Sequence, residues 1–222
     1  MSLSPTQEKP TILNPIYLAS LSLLLGFALG YSAHRVYSSQ NHGESLVRKA
    51  LQKHFRSPNY HLLNHITLKH GDSTTQIDHI LVSCFGVFVI ETKNYKGWIF
   101  ANPKHESWTQ VLFKAKFKFQ NPIHQNHRHV VAVRELLDFL PQDAIKSVVV
   151  FSGDAECKTD MPSNVFTLPM LINYLNSCTE ELLSLNRVQF SVGRIETARM
   201  EISGKTDVEH VKALQRRFGN ND

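Results

Sequence analysis

Asp78, Glu91 and Lys93 are the charges of a stretch, Gln76 to Lys93 (QIDHILVSCFGVFVIETK), in which apolar residues predominate. Val, Ile, Leu and Phe fill both halves, the composition of strands buried in a core. Side chains alternate faces along a strand, so Gln76, Asp78, Ile80 and Val82 share one face, and Val87, Val89, Glu91 and Lys93 share one face of the next. A turn centred on Cys84 and Phe85, eased by Gly86, sets Val82 opposite Val87, Ile80 opposite Val89 and Asp78 opposite Glu91. Opposed residues have β-carbons about 5 Å apart, and two carboxylates that close in a partly buried sheet repel unless something neutralises them. A divalent cation does so, and hard oxygen ligands on adjacent strands suit Mg²⁺ or Mn²⁺. Lys93 projects into the same space, where it can hold a water or an oxyanion but, while charged, cannot ligate the metal. The competing reading is a charge-paired sheet end in which Lys93 neutralises both acids.

Around this hairpin the chain supplies elements to position it. Glu44 to Phe55 has helical spacing, with Leu46, Val47, Ala50, Leu51 and Phe55 inward, and a Glu in a first turn is stabilised by the helix dipole. Ser57-Pro58 ends that helix, His61 to Leu68 is a strand, and Gly71-Asp72 turns the chain into the hairpin. Trp98 to Phe100 is a short strand. Trp108 to Phe119, with Lys114, Lys116 and Lys118 alternating against Phe113, Ala115, Phe117 and Phe119, reads as one strand. Its lysines either protect an edge or track phosphates. Asn121-Pro122 opens a helix to Leu140 with Ile123, Val130, Val133, Leu136 and Leu137 inward. Gln125 lies early on it, an exposed polar residue or a helix-start hydrogen bond on spacing alone. His124, His127 and His129 do not share one helix face and read as surface residues. Ile145 to Phe151 is a buried strand, Val165 to Leu168 another, and Pro169 to Leu185 and Asp207 to Phe218 are helices.

Length and composition set bounds. With 222 residues and 42% hydrophobic content, the chain can build one substantial core and an appendage. A net charge of +5 permits a polyanionic partner without demanding one. Cys84, Cys157 and Cys178 are scattered, which argues against a disulfide scaffold or zinc ribbon. There is no glycine-rich phosphate loop and no nucleophile elbow. Pro10 to Ala33 carries no charge and is long enough to cross a bilayer as a helix. A cleaved signal peptide, with Ala28-Leu29-Gly30 as its site, and a buried helix are the rival readings. Lys9 alone precedes the segment, whereas Arg35, Arg48, Lys49 and Lys53 follow, so a single-pass anchor would leave the C-terminal domain in the cytoplasm.

Asp78, a hairpin and then Glu91-x-Lys93 resembles the D…(D/E)xK signature of the PD-(D/E)XK nuclease superfamily. The string IDHILV…GVFVIETKNYKG is similar to the nuclease-related domain, NERD, within it. His42-Gly43-Glu44 before the hairpin and Asn121 to Asn126 (NPIHQN) after it fit the same family, so the resemblance spans about residues 40 to 140. Ile77 stands where the superfamily name has Pro, at a position that points away from the metal. The resemblance implies an α/β fold: a restriction-endonuclease-like core, a central mixed sheet flanked by helices, here with an N-terminal transmembrane helix. The expected divisions are 1–37 for tail and anchor, 38–142 for the nuclease-like core, and 143–222 for strands and helices completing the same domain. It further implies that Asp78 and Glu91 hold one or two Mg²⁺ (or Mn²⁺) ions, with Glu44 helping directly or through water. Lys93 would orient the attacking water or offset charge, and Gln125 would position it. The expected protein is a membrane-anchored, metal-dependent nuclease acting on nucleic acid, DNA in the first place. A homodimer is consistent with related nucleases, which often pair. The alternative is a catalytically silent, membrane-tethered module that binds DNA or a protein partner.

Overall fold

The computed structural model describes residues 41–200. The expected membrane helix within 10–33 and the expected helix Asp207 to Phe218 lie outside them. Among the described residues no helix is long and apolar enough to cross a membrane.

The period-two stretches become a meander. Strands β1 (Tyr60–His70), β2 (Ser73–Ser83) and β3 (Gly86–Lys93) pair antiparallel in sequence order. Gly86 closes the tight β2–β3 turn at φ 137°, where a β-carbon would lie 2.8 Å from the Ala144 carbonyl oxygen. The pairs Val82–Val87 and Ile80–Val89 are those that alternation predicts. The ladder then ends at His79–Ile90, one residue before Asp78 would face Glu91. On the other flank the β1–β2 ladder steps from Asn64–His79 to Ile66–Ile77, skipping the position of Asp78, and His65 there has a φ of 52°. The sheet is therefore interrupted on both sides of Asp78, which frees that carboxylate from strict strand geometry.

The apolar run of β7 (Ile145–Phe151) enters parallel to β3, and β9 (Val165–Thr167) lies parallel beyond it. The result is a five-stranded mixed sheet in the order β1-β2-β3-β7-β9. Successive residues of β2 and β3 face opposite layers. Ile80, Val82, Val87 and Val89 pack with Val130, Val133 and Leu137 of helix α2 (Pro122–Leu136) and its end, and with Val188 and Ile195 of helix α4 (Leu185–Ala198). Leu81, Phe88 and Ile90 pack with Val47 and Leu51 of helix α1 (41–54) and with Leu171 and Leu175 of helix α3 (Leu168–Ser177). Helices thus cover both faces, as an α/β protein requires when its central strands are apolar on both sides.

A second sheet runs in the order β6 (Ala115–Gln120), β5 (Ser107–Leu112), β4 (Gly97–Phe100), β8 (Ala155–Cys157). It corrects one expectation: Trp108 to Phe119 is not a single strand but the hairpin of β5 and β6. The chain reverses at Phe113, whose φ is 53°. Strand β4 pairs with β5 and with the short β8, while β6, bearing Lys116 and Lys118, is an edge. Two helix boundaries also differ. Helix α2 ends at Leu136 rather than Leu140, and the helix expected over Pro169 to Leu185 stops at Ser177. A new helix, α4, starts where the Ser184 hydroxyl accepts from the Arg187 N–H.

Candidate active site

The residues with chemistry gather where parallel strands β3 and β7 end, the side of an open α/β sheet on which ligands commonly bind. Glu91 and Lys93 share the α2 face of β3, two residues apart, so their side chains meet. Glu91 is only 2% exposed, and its Oε1 accepts from Lys93 Nζ at 2.7 Å. Its Oε2 lies 3.1 Å from His129 Nε2, while His129 Nδ1 is hydrogen-bonded to Thr75 Oγ1 at 2.6 Å. An ionised carboxylate only accepts, so His129 Nε2 carries a proton in this arrangement. Burial pushes the Glu91 carboxyl up, but the Lys93 ammonium and the His129 hydrogen bond outweigh it and leave the group below the usual carboxylate range. Burial likewise works against a charged Lys93, yet the Glu91 carboxylate reverses this and raises the amine above its ordinary value. The two charges are mutually maintained.

Asp78 and Glu44 are in the opposite condition. Asp78 Oδ2 accepts from the Thr92 N–H at 2.7 Å. Even so, burial first, then the charges of Glu91 and Glu44, drive the Asp78 carboxyl well above the usual range. Glu44 enters from the start of α1 and is raised by burial and then by Glu91, with Lys93 opposing. Its Oε2 is 3.4 Å from His65 Nδ1, whose ring burial disfavours charging. Three carboxyls are therefore close enough to feel one another, with one ammonium among them.

The segment NPIHQN explains how α2 is held to this cluster. The Asn121 side chain caps the helix by accepting from the Ile123 N–H at 3.0 Å, and its amide donates to the His105 carbonyl at 2.8 Å. Pro122 then occupies the first turn. One turn in, buried Asn126 donates to the carbonyls of Val89 (2.9 Å) and Val148 (3.0 Å), fastening α2 across the β3–β7 pair. Gln125 beside it accepts from Lys93 Nζ at 3.0 Å. Its amide nitrogen is a donor that can serve a bound group.

A family model described as nuclease-related domain matches residues 39–152, from the start of α1 to just past β7. The chain belongs to the nuclease-related domain (NERD) family. An uncharacterized protein of Bacillus anthracis is similar to it, 35% identical over 188 residues that cover 79% of this chain and 84% of that one. No solved structure matches the chain.

The matched NERD span contains Glu44, Asp78, Glu91, Lys93 and Gln125. The structure links Glu91, Lys93 and Gln125 by hydrogen bonds and couples Asp78 and Glu44 to them through charge. His129 departs from the surface position that its sequence context suggests: it is buried against Glu91, whereas His124 and His127 do lie on the surface. The signal for it is the spacing Gln125–His129, one helical turn on a single face. Among the described residues no three of His, Cys, Asp and Glu stand together as a ready-made metal group. The donors nonetheless suit a hard cation in kind: carboxylate oxygens of Asp78 and Glu44, which burial first and neighbouring negative charge second hold above their ordinary values. Each Glu91 oxygen accepts one hydrogen bond and keeps a further lone pair, so Glu91 can join Asp78 and Glu44 around a cation.

Two variants test this packing. Replacing His129 by Ala removes a donor from a buried carboxylate and costs about 1–3 kcal/mol in urea unfolding at neutral pH. A depressed Glu91 stabilises the fold above the unfolded carboxylate pKa and ceases to do so as pH falls through its folded value. The wild-type and variant stabilities should accordingly converge in acid; a pH-independent gap would mean that His129 acts by packing alone. At Gly43, an added β-carbon would lie 2.5 Å from Asn94 Cβ and 2.6 Å from Ser152 Oγ. Gly43→Ala must therefore lift the start of α1, with Glu44, off the ends of β3 and β7, at roughly 1–3 kcal/mol in thermal unfolding. An unchanged melting temperature would contradict that close approach.

Proposed function

We propose that this NERD domain is a Mg²⁺-dependent nuclease of the PD-(D/E)XK type that hydrolyses phosphodiester bonds of nucleic acid, DNA in the first place. The supporting observation is the buried Glu91–Lys93 pair, clamped by His129 and Gln125, beside Asp78 and Glu44, whose carboxyls burial and then neighbouring negative charge hold above their ordinary range, a strain that a cation would relieve. Asp78, Glu44 and Glu91 are the residues to hold a divalent cation, Mg²⁺ or Mn²⁺. When bound, such a cation lowers the pKa of a water and offsets charge on the phosphate. Lys93, kept charged by Glu91, directs its remaining N–H at the attacking water or at a phosphate oxygen. The Gln125 amide offers a second donor from the same side. The apolar run 10–33 supports a single-pass anchor, and the lysine and arginine excess after it supports a cytoplasmic domain.

The test is cleavage of plasmid and labelled oligonucleotides by the purified full chain, with Mg²⁺ and with a chelator, beside Asp78→Ala and Lys93→Ala. Metal-dependent cutting lost in both variants is the expected result, and equal cutting by all three proteins would assign the activity to a contaminant. One observation favours a second reading, a membrane-tethered module that binds DNA or a protein without cutting: each Glu91 oxygen already accepts a hydrogen bond within the fold. Oligonucleotide binding without any metal-dependent cleavage would select it.

A further inference from the structure

The solvent face of the second sheet carries a pattern that neither the core nor the carboxylate cluster uses. Cross-strand partners point to the same side of a sheet. The register therefore places Glu156, Trp98, Val111 and Lys116 in one row, and Phe100, Thr109 and Lys118 in the next. The opposite side is the buried one, where Ile99 and Trp108 pack under the sheet against Val149 and Phe151. Trp98 is 49% and Phe100 40% exposed. Both lie on β4, which has neighbours on either side, so neither is an edge device and neither belongs to the core. Each row runs from an aromatic ring on β4 to an exposed lysine two strands away on β6. Lys158 adds a third ammonium, 5.0 Å from the centre of the Trp98 ring, although it also pairs with Glu156.

We propose that this face binds single-stranded nucleic acid, with unpaired bases stacked on Trp98 and Phe100 and phosphates held by Lys116, Lys118 and Lys158. Residues two apart on a strand are about 7 Å apart, close to twice the spacing of stacked bases, so the two rings can take bases of one strand. Base–aromatic stacking needs unpaired bases and tolerates any sequence, and flanking lysines supply the salt-sensitive share of the affinity. Edge protection explains lysines on β6 but not exposed aromatics on an interior strand. A bilayer surface fits less well, because the rings lie along the flat of the sheet; the residue a bilayer would take is Phe113, fully exposed at the hairpin tip. This inference names the form of substrate for the nuclease reading and rests on it.

The experiment uses the full chain in mild detergent with chelator present, so that nothing is cut. The probes are a fluorescein-labelled 20-nucleotide oligo-dT and a 20-base-pair duplex. Of the chain's 2 tryptophans, Trp108 is buried, so quenching of intrinsic fluorescence reports on Trp98. The single strand should bind more tightly than the duplex and quench Trp98. Trp98→Ala with Phe100→Ala should weaken binding by about 10- to 100-fold or more, with an unchanged melting temperature. Lys116→Ala with Lys118→Ala should flatten the salt dependence of binding, by a slope of about 0.7 for each phosphate no longer neutralised. Single-strand binding by the aromatic double variant equal to wild type overturns the proposal. So does quenching of Trp98 by mixed micelles of brominated phosphatidylserine, abolished by Phe113→Ser, with none by DNA. Cleavage by the Mg²⁺ assay with unimpaired binding by the aromatic variant removes this inference and leaves the nuclease; single-strand binding without cleavage does the reverse.

Discussion

Replacing Lys93 by Met is expected to remove cleavage and to destabilise the fold together. The side chain is 12% exposed and its ammonium sits 2.7 Å from a Glu91 oxygen that is itself buried. Breaking a buried ion pair from one side leaves a charge in a poor solvent, at a cost of about 3–5 kcal/mol. On the proposed nuclease reading Lys93 is also a charged donor to the reacting phosphate, and its loss would cost about 10²–10³-fold in rate. The two effects separate in the double variant Lys93→Met with Glu91→Gln. There no charge is stranded, since His129 can still donate to the amide oxygen, so most of the stability returns while cleavage does not. The pH dependence follows from the same pair. Without Lys93, burial drives Glu91 upward, so the single variant should regain stability as pH is lowered, the reverse of the wild-type carboxylate, whose contribution is lost in acid. Urea unfolding at several pH values and a plasmid assay measure both, and wild-type cleavage by the single variant would end the catalytic role given to Lys93.

Much of the fold is readable in the sequence because a few physical rules act alone there. Alternation along Ile80, Val82, Val87 and Val89 sets the hairpin register, and the two-sided apolar run at Ile145 to Phe151 marks a strand covered on both faces. The departures arise where no local rule speaks. The β5–β6 reversal occurs at Phe113-Lys114, without a Gly, Asn or Pro, so the alternation on either side runs together into one apparent strand. Helix α4 follows a capping Ser184 and buries Val188, Ser191 and Ile195 at helical spacing, a pattern weakened by exposed Leu185 and Phe190. At the site, Asp78, Glu91 and Lys93 are legible as charges where apolar residues belong. His129 falls into an apparent group of three with His124 and His127, which hides its one-turn relation to Gln125. The break in both ladders beside Asp78 is a tertiary fact with no sequence signal.

That break bears on the second large effect, at Asp78. Its carboxyl is raised by burial and by the charges of Glu91 and Glu44, so at neutral pH an ionised Asp78 works against the fold. A carboxyl raised in the folded state binds more protons there than in the unfolded chain, and its contribution declines as pH climbs from the unfolded toward the folded value. Asp78→Asn removes the charge while its side-chain oxygen can keep accepting from the Thr92 N–H. The variant should therefore be more stable than wild type at neutral pH, by about 0.5–2 kcal/mol, and should lose this advantage in acid, where Asp78 is protonated anyway. Cleavage should fall to background. A cation held by Asp78 relieves the same repulsion, so Mg²⁺ should raise the melting temperature of wild type in proportion to the logarithm of its concentration above Kd, and should leave the variant unmoved. Destabilisation by Asp78→Asn with an unchanged response to Mg²⁺ would make Asp78 a structural cap for Thr92 and nothing more. Retained cleavage in that variant would place the metal elsewhere. The predicted combination, a sturdier fold without activity, arises only if the crowding of acids is kept for what it binds.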